Sequence, residues 1–219
     1  MGAIVGALFA IGKNVQNILD VLETLNRDSL FKMKFSNGRF EFRKINEFLL
    51  EIFENKKMKD VRIPLKIVVT DVKTGKAKVF SNKDNVLIAD AVRASISIPG
   101  IFKIKEIKNK NYMDGGISSN LPLEFAISKN IKIASNVINY SREIKYHKFS
   151  GFFSSLKERF YALDGAMHYL IRNQTYAKTP YIKKLVLIEP DMNEFDLYKF
   201  KNYLKMVERG HDAAKKMIH

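Results

Sequence analysis

Asp114, followed by Gly115 and Gly116, is the group in this chain whose type and setting best suit proton transfer. A carboxylate beside residues without a Cβ can be turned close to a substrate, because neither glycine restricts φ or blocks approach. The same tripeptide also makes an ordinary turn after a strand. At the other end of the sequence, Met1-Gly2-Ala3-Ile4-Val5-Gly6-Ala7-Leu8 is an apolar run rich in small residues. A helix beginning there offers free backbone N–H groups and a positive dipole end to developing negative charge. Other polar candidates carry less. Asp71, ahead of Val72-Lys73-Thr74-Gly75, most simply closes a hairpin through side-chain-to-backbone hydrogen bonds. Ser95, Ser97, Ser118 and Ser119 lie outside any G-x-S-x-G elbow, so none is a nucleophile by motif. His147, His168, His211 and His219 are scattered, and His168 reads as a packed or half-exposed surface residue. With no cysteine, disulfides, thiolate zinc sites and cysteine nucleophiles are excluded.

The segment Ser95-x-Ser97-Ile98-Pro99-Gly100-Ile101-Phe102 is followed by a short basic stretch, then Tyr112-Met113-Asp114-Gly115-Gly116 and Asn120-Leu121-Pro122. In this order and spacing it resembles the patatin-like phospholipases. Thr70-Asp71-Val72-x-Thr74-Gly75, Glu189-Pro190 after a strand and Gly210 in a late helix extend the resemblance, which is strongest over 65–125. In that family the Asp of a D-G-G/A motif partners a serine in a G-x-S-x-G elbow. The elbow usually continues as Met-Gly-Ala into a small apolar helix. The resemblance therefore implies that this sequence starts one residue after the nucleophile, with Met1 and Gly2 belonging to the elbow.

The same resemblance implies Asp114 as general base, with Gly115 and Gly116 forming the turn that aims it. The implied activity is ester hydrolysis of phospholipids or related acyl lipids by a Ser–Asp dyad through an acyl-serine intermediate, with no metal or cofactor. Absent from the sequence are the serine, the family's glycine-rich oxyanion segment and the N-terminal strand or strands, so the chain alone is expected to be inactive. The alternative is a truncated homologue that binds a lipid or a partner without turnover.

The 219 residues fit one α/β domain with a sizeable core. The net charge is +15, from 38 basic and 23 acidic residues. It is spread evenly: 23 basic and 14 acidic residues fall in 1–140, 15 and 9 in 141–219. A nucleic-acid arm or an anchoring tail would concentrate it, so nucleic acid is not expected as a partner. A diffuse basic field favours peripheral contact with an anionic membrane surface, each nearby cation contributing about 1 kcal/mol. The run Met1–Gly12 lacks the basic leader and cleavage pattern of a signal peptide, and falls short of the ~20 residues that span a bilayer. These features point to a cytoplasmic or peripheral-membrane location.

Periodicity supplies the elements that must position these groups. Helical spacing predicts helices over 2–12, 15–25, 43–54, 87–95 and 152–173, the last being the longest, with one or two more over 194–218 interrupted near Gly210. Strands are expected at Leu65–Thr70, Lys76–Ser81, Ile131–Ile138 and Lys184–Ile188, and Asn37-Gly38 suggests a hairpin turn. Lys103, Lys105, Lys108 and Lys110 mark either the basic mouth of a site or the solvated face of a hairpin. Strands alternating with helices predict a single three-layer α/β/α domain over 1–219. Its central sheet should be mainly parallel, with its N-terminal strand or strands lacking.

Overall fold

The computed structural model describes residues 1–27, 34–36, 39–41, 43–99, 102–126, 131–138, 154–195 and 202–218. The chain forms two compact units, Met1–Ser118 with Leu197–Tyr203, and Ser119–Asp196 with Leu204–His219.

In the first unit the apolar opening run folds as helix α1, Gly2–Ala10. A helix apolar on nearly every side needs neighbours on more than one face, and Ile4, Ala7 and Leu8 are fully buried. It stops at Gly12, which takes φ +91°. The N–H groups of Gly12 and Lys13 then donate to the carbonyls of Phe9 and Leu8, both at 3.0 Å. This is a Schellman closure, which a residue without a Cβ makes at little cost. Helix α2, Val15–Arg27, follows at once. Asn14 caps it, its Oδ1 accepting the Asn17 N–H at 2.8 Å. Strands β1, Lys34–Ser36, and β2, Arg39–Glu41, pair antiparallel. The expected turn at Asn37-Gly38 lies outside the described residues. Helix α3 spans Arg43–Ile52, with Ile45, Phe48 and Leu49 buried.

The sheet that carries the site comes next, built from β3 (Ile67–Asp71), β4 (Ala77–Phe80), β5 (Lys105–Ile107) and β6 (Lys110–Asp114), with helix α4 (Ile88–Ser95) between β4 and β5. The strand order is β4-β3-β6-β5 and every pair is antiparallel. The α/β composition holds, but the mainly parallel central sheet expected from the sequence is overturned. The connections explain why. Between β3 and β4 the chain turns within a few residues, the Gly75 N–H donating to the Asp71 carbonyl at 2.8 Å. Between β5 and β6 it turns on Lys108 and Asn109, at φ +51° and +60°. Two left-handed residues in succession make the tight turn whose twist matches antiparallel strands. A parallel pair instead needs a crossover of a dozen residues or more.

Helix α4 packs on β3, β5 and β6, and α1 and α3 pack on α4. Ile4, Leu8, Leu49, Val69, Ile88 and Val92 are all completely buried there. Each such aliphatic side chain contributes roughly 1.5–3 kcal/mol relative to exposure. A four-residue helix α5, Gly116–Ser119, follows β6.

In the second unit β7 (Lys132–Ser135) and β8 (Leu185–Ile188) form the parallel pair, joined by a crossover that contains α6, Ser154–Lys178. At 25 residues α6 is the longest described helix, as expected, and it runs past the predicted end at 173. The strand ends are tied together: the Asn136 N–H donates to the Ile188 carbonyl at 2.9 Å, and its side-chain amide donates to Glu189 at 2.7 Å. Helix α7, Tyr203–Ile218, passes through Gly210 without a break. A single glycine costs a helix about 1 kcal/mol but leaves its hydrogen-bond ladder intact, so the predicted interruption is corrected.

Candidate active site

Strand β6 ends at Asp114, whose register partner on β3 is Val69. The backbone around Asp114 is tied on three sides. Its N–H donates to the Ser97 carbonyl at 3.0 Å, and the Gly115 N–H donates to the Ser95 carbonyl at 3.4 Å. The Asp114 carbonyl accepts the Thr70 hydroxyl at 2.7 Å. Thr70 is completely buried, and its single proton is used there. The hydroxyl of Ser118 lies 2.8 Å from Thr70 Oγ1 and donates to the Gly115 carbonyl at 3.4 Å.

Gly115 fills its position for a steric reason. A Cβ there would stand 2.1 Å from the Val68 carbonyl oxygen and 2.7 Å from its carbon. Gly116 acts through its backbone, its N–H donating to Asp114 Oδ1 at 2.7 Å. This side-chain-to-backbone bond holds one carboxylate oxygen and leaves the other for a further partner. Met1 closes the arrangement. Its carbonyl starts α1, accepting the N–H of Ile4 at 2.9 Å and of Val5 at 3.2 Å. Met1 is 41% exposed, and its amino nitrogen lies within charge-interaction range of Asp114. Around Gly2 there is open space, with no atom within 4 Å of where a Cβ would be.

Burial is the largest influence on the Asp114 carboxyl and raises it above the usual carboxylate range, against the opposing pull of the Gly116 N–H and the amino group. Burial likewise lowers the Met1 amino group, with Asp114 opposing. A half-buried carboxyl with a raised pKa and one oxygen fixed by an N–H is suited to accept and return a proton.

The lesser candidates are occupied elsewhere. Asp71 spends its carboxylate on Thr74, accepting the backbone N–H at 2.9 Å and the hydroxyl at 3.0 Å, and these bonds hold it below the usual range. Ser97 donates its hydroxyl to the Arg93 carbonyl and Ser119 to Glu124, each at 2.8 Å. His168 is half-buried on α6, and His211 is exposed beside Asp212 at 3.6 Å. His147 and His219 lie outside the described residues. Lys105 pairs with Asp90 at 2.5 Å, whereas Lys103, Lys108 and Lys110 lie on exposed positions in and around the β5–β6 hairpin. Among the described residues no three His, Asp or Glu side chains converge as a metal set, and no helix is long and apolar enough to cross a membrane.

Arg93 has no mark in the sequence, and Thr70 and Ser118, though named from it, carry no sign there of their place beside Asp114. The Thr70-Asp71 pair had drawn attention to the turn, but a hydroxyl bonded across the sheet to position 114 has no signal without the strand register.

The strand-end Asp-Gly-Gly and the apolar helix α1 lie in the same compact unit. The chain belongs to the patatin-like phospholipase family, whose model matches residues 1–127. It is similar to uncharacterised NTE family proteins of Mycobacterium bovis and of two Mycobacterium tuberculosis strains, with 28% identity over 127 residues. That match covers 56% of this chain and 34% of each relative, so the chain spans about a third of the length of these proteins.

Proposed function

We propose that this chain provides the acid–base half of a lipid acyl hydrolase, with Asp114 as base for a serine at the position immediately before Met1. The carrying observation is that Asp114, at the end of β6 with Oδ1 held by the Gly116 N–H at 2.7 Å, lies within electrostatic range of the Met1 nitrogen that opens α1. A residue joined to that nitrogen would begin in the neighbourhood of the carboxylate.

In the proposed reaction Asp114 takes the proton of the serine hydroxyl as its oxygen attacks the ester carbonyl of a phospholipid or related acyl lipid. The tetrahedral oxyanion forms near the start of α1, where the Gly2 and Ala3 N–H groups precede any intrahelical acceptor and the dipole is positive. Collapse breaks the ester bond, the leaving alcohol takes the proton from Asp114, and an acyl-serine remains. Water then attacks the acyl carbon, Asp114 accepts its proton and returns it to the departing serine oxygen, and the free acid leaves. The residues named here supply every proton transfer, so the scheme needs no metal or cofactor. The diffuse positive charge would favour peripheral contact with anionic lipid.

The test is a chain extended before Met1 by a Gly-x-Ser elbow and its upstream segment. It should react with a serine-directed fluorophosphonate and hydrolyse acyl esters. Replacing Asp114 with Asn should lower kcat about 10²–10⁴-fold, as loss of a general base does. Hydrolysis that survives Asp114→Asn unchanged would refute the assignment.

A second reading, lipid binding without turnover, has its own observation. Met1, Val5 and Phe9 recur at helical spacing on α1 and are 41%, 38% and 57% exposed. Salt-sensitive binding of the 219-residue chain to anionic vesicles, weakened by Phe9→Ser, would favour it; no vesicle binding would dismiss it.

A further inference from the structure

Arg93 is 5% exposed on α4, and no carboxylate reaches it among the described residues, burial being what lowers its pKa. Its Nη1 donates to Ser97 Oγ at 2.8 Å, and the Ser97 hydroxyl donates back to the Arg93 carbonyl at 2.8 Å. Its Nη2 donates to the Lys103 carbonyl at 3.4 Å, and its guanidinium carbon lies 5.3 Å from the centre of the Phe102 ring. Its Nε has no partner. Burying a guanidinium with one nitrogen unsatisfied is costly. An aliphatic side chain would fill the volume more cheaply, but could not join three separate points of the chain.

Those points flank the turn after α4. The carbonyls of Ser95, the last residue of α4, and of Ser97, in that turn, receive the Gly115 and Asp114 N–H groups at 3.4 and 3.0 Å. The geometry points to Arg93 as the positioning residue of Asp114: by clamping Ser97, Phe102 and Lys103 it holds the turn whose carbonyls anchor the Asp114 and Gly115 backbone. The catalytic meaning of this clamp rests on Asp114 being the base proposed above. Arg93 itself touches no reacting atom. A lysine can reach Ser97 or Lys103 but cannot fork to both.

Amide hydrogen exchange of the 219-residue chain, read residue by residue by NMR, tests the clamp without any need for hydrolysis. The variants are Arg93→Lys, Arg93→Met and Ser97→Ala. The reference amides are Asp71 and Val72, bonded to the carbonyls of Lys76 at 2.9 Å and Asn111 at 3.0 Å in the same unit. In the variants the Asp114 and Gly115 amides should exchange roughly tenfold faster while the reference amides change less than about twofold, the pattern of a local opening. Arg93→Lys should loosen them less than Arg93→Met. If the methionine variant does not fold, the lysine and Ser97→Ala variants decide the matter.

A second readout is the Asp114 carboxyl itself, followed by its carbon-13 shift against pH. In the loosened variants it should titrate closer to the ordinary carboxylate range, because water reaches it. Equal acceleration of all four amides, or no change at Asp114 and Gly115, would reduce Arg93 to core filling and overturn the inference. An extended chain that folds with the clamp pattern intact, yet hydrolyses nothing, would sink the reading of Asp114 as base and leave the clamp standing.

Discussion

Gly115 lies so close to the backbone of Val68 that a single methyl group at position 115 would stand 2.1 Å from the Val68 carbonyl oxygen. The obstacle is main chain in the middle of a paired strand, so no rotamer change relieves it. Gly115→Ala should therefore cost about 3 kcal/mol, the upper end of overpacking penalties. For a chain of this size that lowers the thermal midpoint by roughly 6–12 °C. Calorimetry giving a shift under about 2 °C would show that β3 and β6 can separate at little cost.

Asp114 should make the fold less stable as pH rises. Its folded-state carboxyl is raised by burial, so the native state holds its proton more tightly than the unfolded chain. The stability this provides is complete below the unfolded carboxylate value and is lost as pH climbs through the raised one. Asp114→Asn should accordingly be more stable than the parent at neutral pH and equal to it in acid. Urea titrations at both pH values check this, and a variant less stable at neutral pH would contradict it.

Asp84 should show the opposite sign. Burial, its largest single influence, pushes the carboxyl up, but the Ser81 N–H at 2.9 Å and the Lys78 ammonium at 3.0 Å together outweigh it and hold it below the usual range. Its contribution is present above the unfolded carboxylate value and disappears as pH falls through the depressed one. Asp84→Asn should cost about 1 kcal/mol at neutral pH, less than a fully buried charged bond because Lys78 is solvent-exposed. The gap should close in strong acid. A pH-independent difference would mean that shape, and not charge, is what Asp84 provides.

Gly210 lies inside α7 with no atom within 4 Å of where a Cβ would be. Alanine there should stabilise the protein by about 0.5–1 kcal/mol. A loss of stability in urea would show that the helix needs a bend at this point.

The helices were legible because an apolar stripe at a 3.6-residue period survives in any context. Ile45, Phe48 and Leu49 announce α3, and they are buried on it. Asp114 was singled out because Ser95-x-Ser97-Ile98-Pro99-Gly100 upstream and Asn120-x-Pro122 downstream set its Asp-Gly-Gly apart from an ordinary turn. The direction of the sheet was not. The decisive turn between β5 and β6 is Lys108-Asn109, two left-handed residues without a glycine, and the lysines around it read equally as a hairpin face or as the mouth of a site. The partners of Asp114 were hidden for a related reason. Ser97 is 17 positions away, in the turn after α4, and Thr70 is 44 away, on β3, and neither position signals the bond it makes to Asp114. A lone arginine among the apolar residues of α4 gives no hint that its fork bridges a turn.

Three consecutive residues of β3 each serve the Asp-Gly turn differently: Val68 crowds Gly115, Val69 pairs with Asp114, and Thr70 bonds its carbonyl. Inserting or deleting one residue in β3 would turn the Thr70 hydroxyl to the opposite face of the sheet. It would also shift the crowding carbonyl along the strand. Point substitutions that keep size and polarity can pass through this stretch, whereas a change in its length cannot. Among natural variants, Ile67–Asp71 should drift in composition while its residue count stays the same.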